Sequence, residues 1–198
     1  MKIYRNTNLK NEHCRGVLAI GNFDGIHLGH QKVIKDAKQK ASKNKLPVGI
    51  MTFEPMPVMF FNKKIKNHRI NSLDQKINQF KKLKLDFLII RRFNKKFSRL
   101  TAEKFIEKII FKKTKCKYLY VSNNFRFGFK RKGNIRILKK FGKKFNYRNL
   151  IIKPFKKKNN VISSTLIRKK IREGKIREAN KLLNRNWSVD GKVIKGKK

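Results

Sequence analysis

Acidic residues are what this chain has least of. Eleven Asp and Glu stand against 55 Lys and Arg in 198 residues, a formal net charge of +44. That imbalance favours polyanions of any kind. A nucleic-acid surface, however, gathers its cations on one face. Here Lys, Asn, Ile and Phe are all heavily used, even at positions with no evident role, which reads as compositional drift rather than a built patch. The expectation is weak, non-specific polyanion binding and no specific nucleic-acid partner. Cysteine is also scarce. Cys14 and Cys116 lie far apart and outside any C-x-x-C pair, which argues against a redox or zinc framework and for idle or buried thiols. No apolar run approaches the ~20 residues of a membrane span. Met1–Asn8 is polar, without a signal-peptide core. These absences predict a reduced, cytoplasmic setting with no membrane partner. No internal repeat is found.

What remains is enough for one full-sized core, with 39% hydrophobic residues and little room for a second domain. Apolar runs of strand length recur at Val17–Ile20, Val48–Phe53, Phe87–Ile90, Tyr118–Ser122 and Leu150–Lys153. Helical patterns lie between them, near Gln31–Lys43, Leu73–Leu83, Thr101–Lys112 and Ile135–Lys143. In the third of these Phe105, Ile106, Ile109 and Ile110 follow the 3.6-residue period, and Thr101 is a suitable N-cap. The alternation predicts an α/β fold: a five-stranded parallel sheet with helices on both faces. Two further helices are expected over Leu166–Glu173, stopped by Gly174, and over Ile176–Leu183. Lys156–Asn160 reads as a solvated loop. Trp187–Lys198 reads as one strand without a partner.

Ligands on such sheets bind beyond the carboxyl ends of the strands. The loop Gly21–His30, G-N-F-D-G-I-H-L-G-H, leaves its strand there and enters a helix. A helix mouth attracts anions, because its first N–H groups lack internal partners and its dipole is positive at that end. His27 and His30 are three apart and share a face, so both can donate to one phosphate. Gly29 between them removes a side chain from the approach. Metal ligation would need more than two histidines, and no third ligand stands at a suggestive spacing; Asp24 is the nearest candidate. Plain helix-cap histidines are a further reading.

The string G-x-F-D-x-x-H-x-G-H is similar to the signature of the HxGH nucleotidyltransferases. The fuller run Ile20–Gln31 resembles the adenylyltransferase domain of the prokaryotic bifunctional riboflavin kinase/FMN adenylyltransferases, the FAD synthetases. Three more segments agree, in the same order: Met51–Pro55 with Pro57, Val121–Asn134 (V-S-N-N-F-R-F-G-F-K-R-K-G-N) and Ile162–Arg168 (I-S-S-T-L-I-R). The resemblance spans about residues 17–185. It implies a Rossmann-like fold of strand order 3-2-1-4-5, with ATP and FMN as substrates, FAD and diphosphate as products, and Mg²⁺ entering with ATP. It implies His27 and His30 as phosphate donors, an Asn22 amide on the α-phosphate, with a plain turn residue as the other reading of Asn22, and Arg168 on the β/γ-phosphates. Gly21, Phe23, Asp24, Gly29, Ser163, Ser164 and Thr165 are expected in the nucleotide site, one of the hydroxyls as an N-cap. Asp24 is expected to hold its loop by accepting backbone N–H groups. Asn124, Phe125, Phe127 and Gly128 are expected at the flavin or adenine, although either Phe also reads as core. No residue is assigned to a metal.

The match departs at three places. Ser122 and Asn123 stand where Gly and Asp are usual, removing a carboxylate beside the flavin loop. Met56 replaces a common His or Gln. Gly191–Lys198 resembles the first strand of the family's kinase barrel, and no P-T-A-N motif follows. The expected division is residues 1–185 as the adenylyltransferase unit and 186–198 as the start of a truncated kinase unit, without riboflavin kinase activity. The competing functions are an inactive remnant or basic nucleic-acid-binding protein, and transfer to a different phosphorylated acceptor.

Overall fold

In a computed structural model the described residues are 1–65, 68–157 and 160–191. The strands are β1 (Lys2–Tyr4), β2 (Val17–Ile20), β3 (Val48–Glu54), β4 (Phe87–Arg92), β5 (Tyr118–Ser122) and β6 (Arg148–Ile152). They form one sheet in the order β1-β4-β3-β2-β5-β6. Every pairing is parallel, with Val17 opposite Val48 and Tyr118, and Gly49 opposite Phe87. The five expected strands are all present in the order 3-2-1-4-5. The correction is a sixth strand: β1 adds to the outer edge beside β4. Between Lys2 and Arg5 it offers only Ile3 and Tyr4 as an apolar signal, too short for a periodicity.

Alternation sorts the strand side chains onto two faces. Leu18, Ile20, Met51, Phe53, Phe87, Ile89, Leu119 and Val121 enter one core. Val17, Ala19, Val48, Ile50, Leu88, Ile90 and Tyr120 enter the other. Helices α1 (Leu28–Lys43) and α3 (Leu73–Lys82) cover the second face through Ile34, Ala37, Ala41, Ile77 and Phe80. Between them α2 (Pro57–Phe61) is a single short turn at the top of the sheet. The first face is covered after the short helix α4 (Lys95–Ser98) by α5 (Ala102–Phe105) and α6 (Ile135–Lys144). The stretch Thr101–Lys112, expected as one α-helix, is α-helical only over α5. It continues with wider π-type winding over Ile106–Thr114, still burying Ile106, Ile109 and Ile110. Thr101 caps it by accepting the Lys104 N–H.

After the sheet, Lys156–Lys157 (β7) pairs antiparallel with Asn160–Val161 (β8), where a plain loop was expected. Helices α7 (Ser164–Arg172) and α8 (Ile176–Leu183) pack on Ile70 as a small third cluster of Ile167, Ala179 and Leu183. Gly174 ends α7 with φ +71. The N–H groups of Gly174 and Lys175 close onto the carbonyls of Ile171 and Lys170, a Schellman ending. Trp187–Gly191 is not a strand, because its groups dock elsewhere: the Trp187 indole N–H donates to the Ile70 carbonyl at 3.0 Å. The rest of the expected strand, residues 192–198, lies outside the described residues.

Candidate active site

The carboxyl ends of β2 to β5 open into a cleft of about 740 Å³. Gly21–Asp24, His30 and Ser164 form one wall; Ser122, Asn124–Gly128, Lys130 and Arg131 form another. Phe53, Phe61, Phe93, Phe97 and Phe105 line the space between them. The volume lies in the range of sites for drug-sized ligands, and the mixture of aromatic lining with a few convergent polar groups is their usual composition.

The loop between β2 and α1 carries backbone conformations that need outside support. Phe23 has φ +48, Gly25 φ +81 and Ile26 φ +42. A left-handed Phe and a β-branched left-handed Ile each store on the order of 1–3 kcal/mol, so their surroundings must over-determine them. They do. The Asn22 carbonyl accepts from the Thr52 hydroxyl at 3.0 Å and the Lys76 ammonium at 3.1 Å. The Asp24 carbonyl accepts from the Ser164 hydroxyl at 2.8 Å, and the Ile26 carbonyl from the Gln31 amide at 2.9 Å. The Asp24 carboxylate accepts the Ile70 N–H at 3.0 Å and two-point contact is completed by Arg168 at 2.7 Å. The Asp24 carboxylate, expected to accept several backbone N–H groups, accepts one, from Ile70 outside the loop, and the Arg168 guanidinium.

His27 is the N-cap of α1: its Nδ1 accepts the His30 N–H at 3.4 Å, which places its ring proton on Nε2. The two rings stack at 3.7 Å with 20° between their planes. Burial, with Arg185 acting in the same sense, pushes the His27 imidazole down to about 4. Burial first, then His27 and Lys76, hold His30 well below the ordinary histidine value. Both are neutral near pH 7, so they offer N–H groups to an anion and no charge. The cap reading and the phosphate-donor reading are therefore compatible. Gly29 is not simply an open approach: a Cβ there would lie 3.2 Å from the His27 ring and 3.4 Å from Phe155 Cβ.

Of the other expected residues, Gly21 donates its N–H to the Met51 carbonyl at the cleft wall. Phe23 is a core side chain, packed on Phe80 and His30. Ser163 is the N-cap of α7, accepting the Leu166 N–H; Thr165 sits one turn before Arg168, whose guanidinium donates to its hydroxyl at 3.4 Å. Arg168 spends its shortest bond on Asp24. Phe125 and Phe127 stack at 5.4 Å; Phe127 is buried against Phe105, whereas Phe125 is half-buried. Gly128 needs its glycine: φ is +72, and a Cβ would meet the Ala102 nitrogen at 2.6 Å. Asn124 and Ser122 are exposed on the cleft wall, and Met56 is buried at the N-cap of α2.

Sequence reasoning missed Lys76, Arg69 and Arg185. Arg69 pairs with Glu54 at the end of β3, and Arg185 donates to Asn71 Oδ1 at 2.8 Å. Lys76 is 3% exposed and holds the Asn22 carbonyl from α3. Burial lowers its pKa against the pull of Asp24 and Glu54. A signal for it existed, since Leu73, Lys76, Ile77 and Phe80 form one helical stripe with a lysine inside.

The sequence matches the family model described as FAD synthetase over residues 9–166. A bifunctional riboflavin kinase/FMN adenylyltransferase of Buchnera aphidicola subsp. Schizaphis graminum is 41% identical over 200 residues, covering 100% of this chain and 64% of that protein. Proteins of the same name in Haemophilus influenzae and Escherichia coli K12 are 34% and 32% identical, covering 100% and 91% of this chain. The chain spans 65% and 58% of those two relatives, so less than two thirds of each of the three. Among solved structures, one titled a macrolide-efflux protein from Streptococcus pneumoniae superposes with a TM-score of 0.81 at 27% identity, over 94% of this chain and 62% of that one. A pantoate-beta-alanine ligase from Francisella tularensis shares the fold, with a TM-score of 0.57 at 18% identity, over 93% of this chain and 78% of that one. By the family model, which matches most of its length, the chain belongs to the FAD synthetase family.

Proposed function

We propose that this chain transfers the adenylyl group of ATP to FMN. An oxygen of the FMN phosphate attacks the α-phosphorus, the bond from that phosphorus to the bridging oxygen breaks, and diphosphate leaves. Catalysis of such a step is mainly positioning and stabilisation of charge. The observation that carries the reading is one cleft joining the histidine-capped mouth of α1 to the Phe125–Gly128 loop. The name of the relatives supplies the acceptor.

In this reading His27 Nε2–H and the His30 ring donate to the α-phosphate as neutral groups, with the free N–H groups of the first turn of α1. Asn22 faces the same mouth. Asp24 and Ser164 keep the loop in place, and Ser163 caps the second helix. Arg168 is about a fifth exposed and keeps donors beyond its Asp24 contact for the β/γ-phosphates. Phe125 stacks on a planar ring, with Phe127 behind it.

Mg²⁺ enters with ATP in this scheme. Among the described residues no three or more His, Cys, Asp or Glu side chains gather to hold a metal ion. The nearby carboxylates, Asp24 and Glu54, are each held by an arginine. We read the cation as held mostly by phosphate and water, and no step is assigned to it. No helix among the described residues is long and apolar enough to cross a membrane. We read the setting as reduced and cytoplasmic and assign no specific nucleic-acid partner.

Purified protein with FMN, ATP and Mg²⁺ should give FAD and diphosphate in equal amounts. Absence of FAD at every protein concentration contradicts the reading. Diphosphate release with a different phosphorylated acceptor, and none with FMN, favours the alternative transferase.

A further inference from the structure

We propose that Lys76 is a positioning residue for this reaction: with the Thr52 hydroxyl, its ammonium clamps the Asn22 carbonyl and locks the Asn22–Ile26 loop at the phosphate mouth. The inference rests on the adenylyl-transfer reading and adds a residue from α3 to it.

Three observations carry it. The loop has two left-handed non-glycine residues, Phe23 and Ile26, which persist only when held from outside. The holding contacts reach in from β3, α3 and α7, and the Asn22 carbonyl alone receives two donors, Thr52 from β3 and Lys76 from α3. A carbonyl already satisfied by a hydroxyl needs no buried cation for its hydrogen bonding, and a desolvated charge is costly when unpaired. Yet Lys76 is buried, and among the described residues no carboxylate lies within ion-pair distance of it. Asp24 and Glu54, the acids that favour its charge, are taken by Arg168 and Arg69. The ammonium thus has no carboxylate of its own beside the Asn22 carbonyl, and a triphosphate at the helix mouth would add negative charge near it. The same cation acts on His30, whose imidazole is held below the ordinary value by burial first, then by His27 and Lys76.

The test compares wild type with Lys76→Met and Thr52→Val. FAD formation is followed across FMN and ATP concentrations and across pH, with thermal unfolding and the imidazole NMR titration of His30 measured in parallel. Lys76→Met should lower kcat roughly 10- to 100-fold, the scale on which small misplacements act, with KM for FMN changed much less. Its His30 titration and the acid limb of its activity should move to higher pH, because a neighbouring cation is gone. Thr52→Val should lower kcat without moving either. Lys76→Met with kcat within about twofold of wild type and an unmoved His30 titration overturns the proposal. If Lys76→Met does not fold, Thr52→Val decides: unchanged kcat overturns the clamp. If wild type makes no FAD, the functional reading fails, while the His30 titration still tests the link to Lys76.

Discussion

Replacing His27 by Asn removes a buried titrating group while keeping an N-cap. Burial holds the folded imidazole at about 4, against 6.5 for the free group. Between these values the unfolded chain binds a proton that the folded chain refuses, so acid favours unfolding throughout that window. The contribution is intact above pH 6.5 and is lost as the pH falls toward 4. A gap of about 2.5 pH units at about 1.4 kcal/mol each gives on the order of 3 kcal/mol. His30, lowered by burial, adds in the same direction. Urea unfolding at pH 7.5 and pH 4 measures this directly. Wild type should lose on the order of 3 kcal/mol more than His27→Asn over that interval, because carboxylate protonation is common to both. Asn accepts a helix N–H as His27 does, so the two proteins should be close in stability at pH 7.5. Parallel stability profiles for the two proteins would refute the burial argument and the neutral assignment of His27.

Gly128→Ala places a Cβ against the Ala102 backbone at a positive φ, and should cost at least about 2 kcal/mol in urea unfolding; an unchanged midpoint contradicts the tight turn. Asp24→Asn leaves Arg168 without its carboxylate, and should destabilise by roughly 3 kcal/mol, with a lowered thermal midpoint as the check. Ser163→Ala removes the α7 cap and should cost about 1 kcal/mol, read by the same denaturation.

The sheet was legible because each strand writes its two faces in alternate apolar residues, as Val17, Leu18, Ala19 and Ile20 do. β1 was not, because three residues at an edge carry no period. The π-type winding after Phe105 was hidden for another reason: Ile106, Ile109 and Ile110 face the core under either winding. At the site, the motif residues were legible as types, and their partners were not. Nothing local says that Arg168 turns to Asp24, 144 residues earlier, or that a lysine inside the apolar stripe of α3 reaches the Asn22 carbonyl. Those contacts are made by the packing of α3 and α7 on the β2–α1 loop. The neutrality of the two histidines likewise follows from burial and stacking that the H-x-G-H string does not encode.

In the proposed reaction the mouth of α1 binds the phosphates of ATP within reach of the flavin loop. A crystal structure with FMN and a non-hydrolysable ATP analogue tests it most directly. The α-phosphate should lie within hydrogen-bond distance of the His27 or His30 ring and of the first turn of α1, with the flavin ring against Phe125. Phosphates seated away from that helix mouth, or FMN outside the cleft, would contradict it.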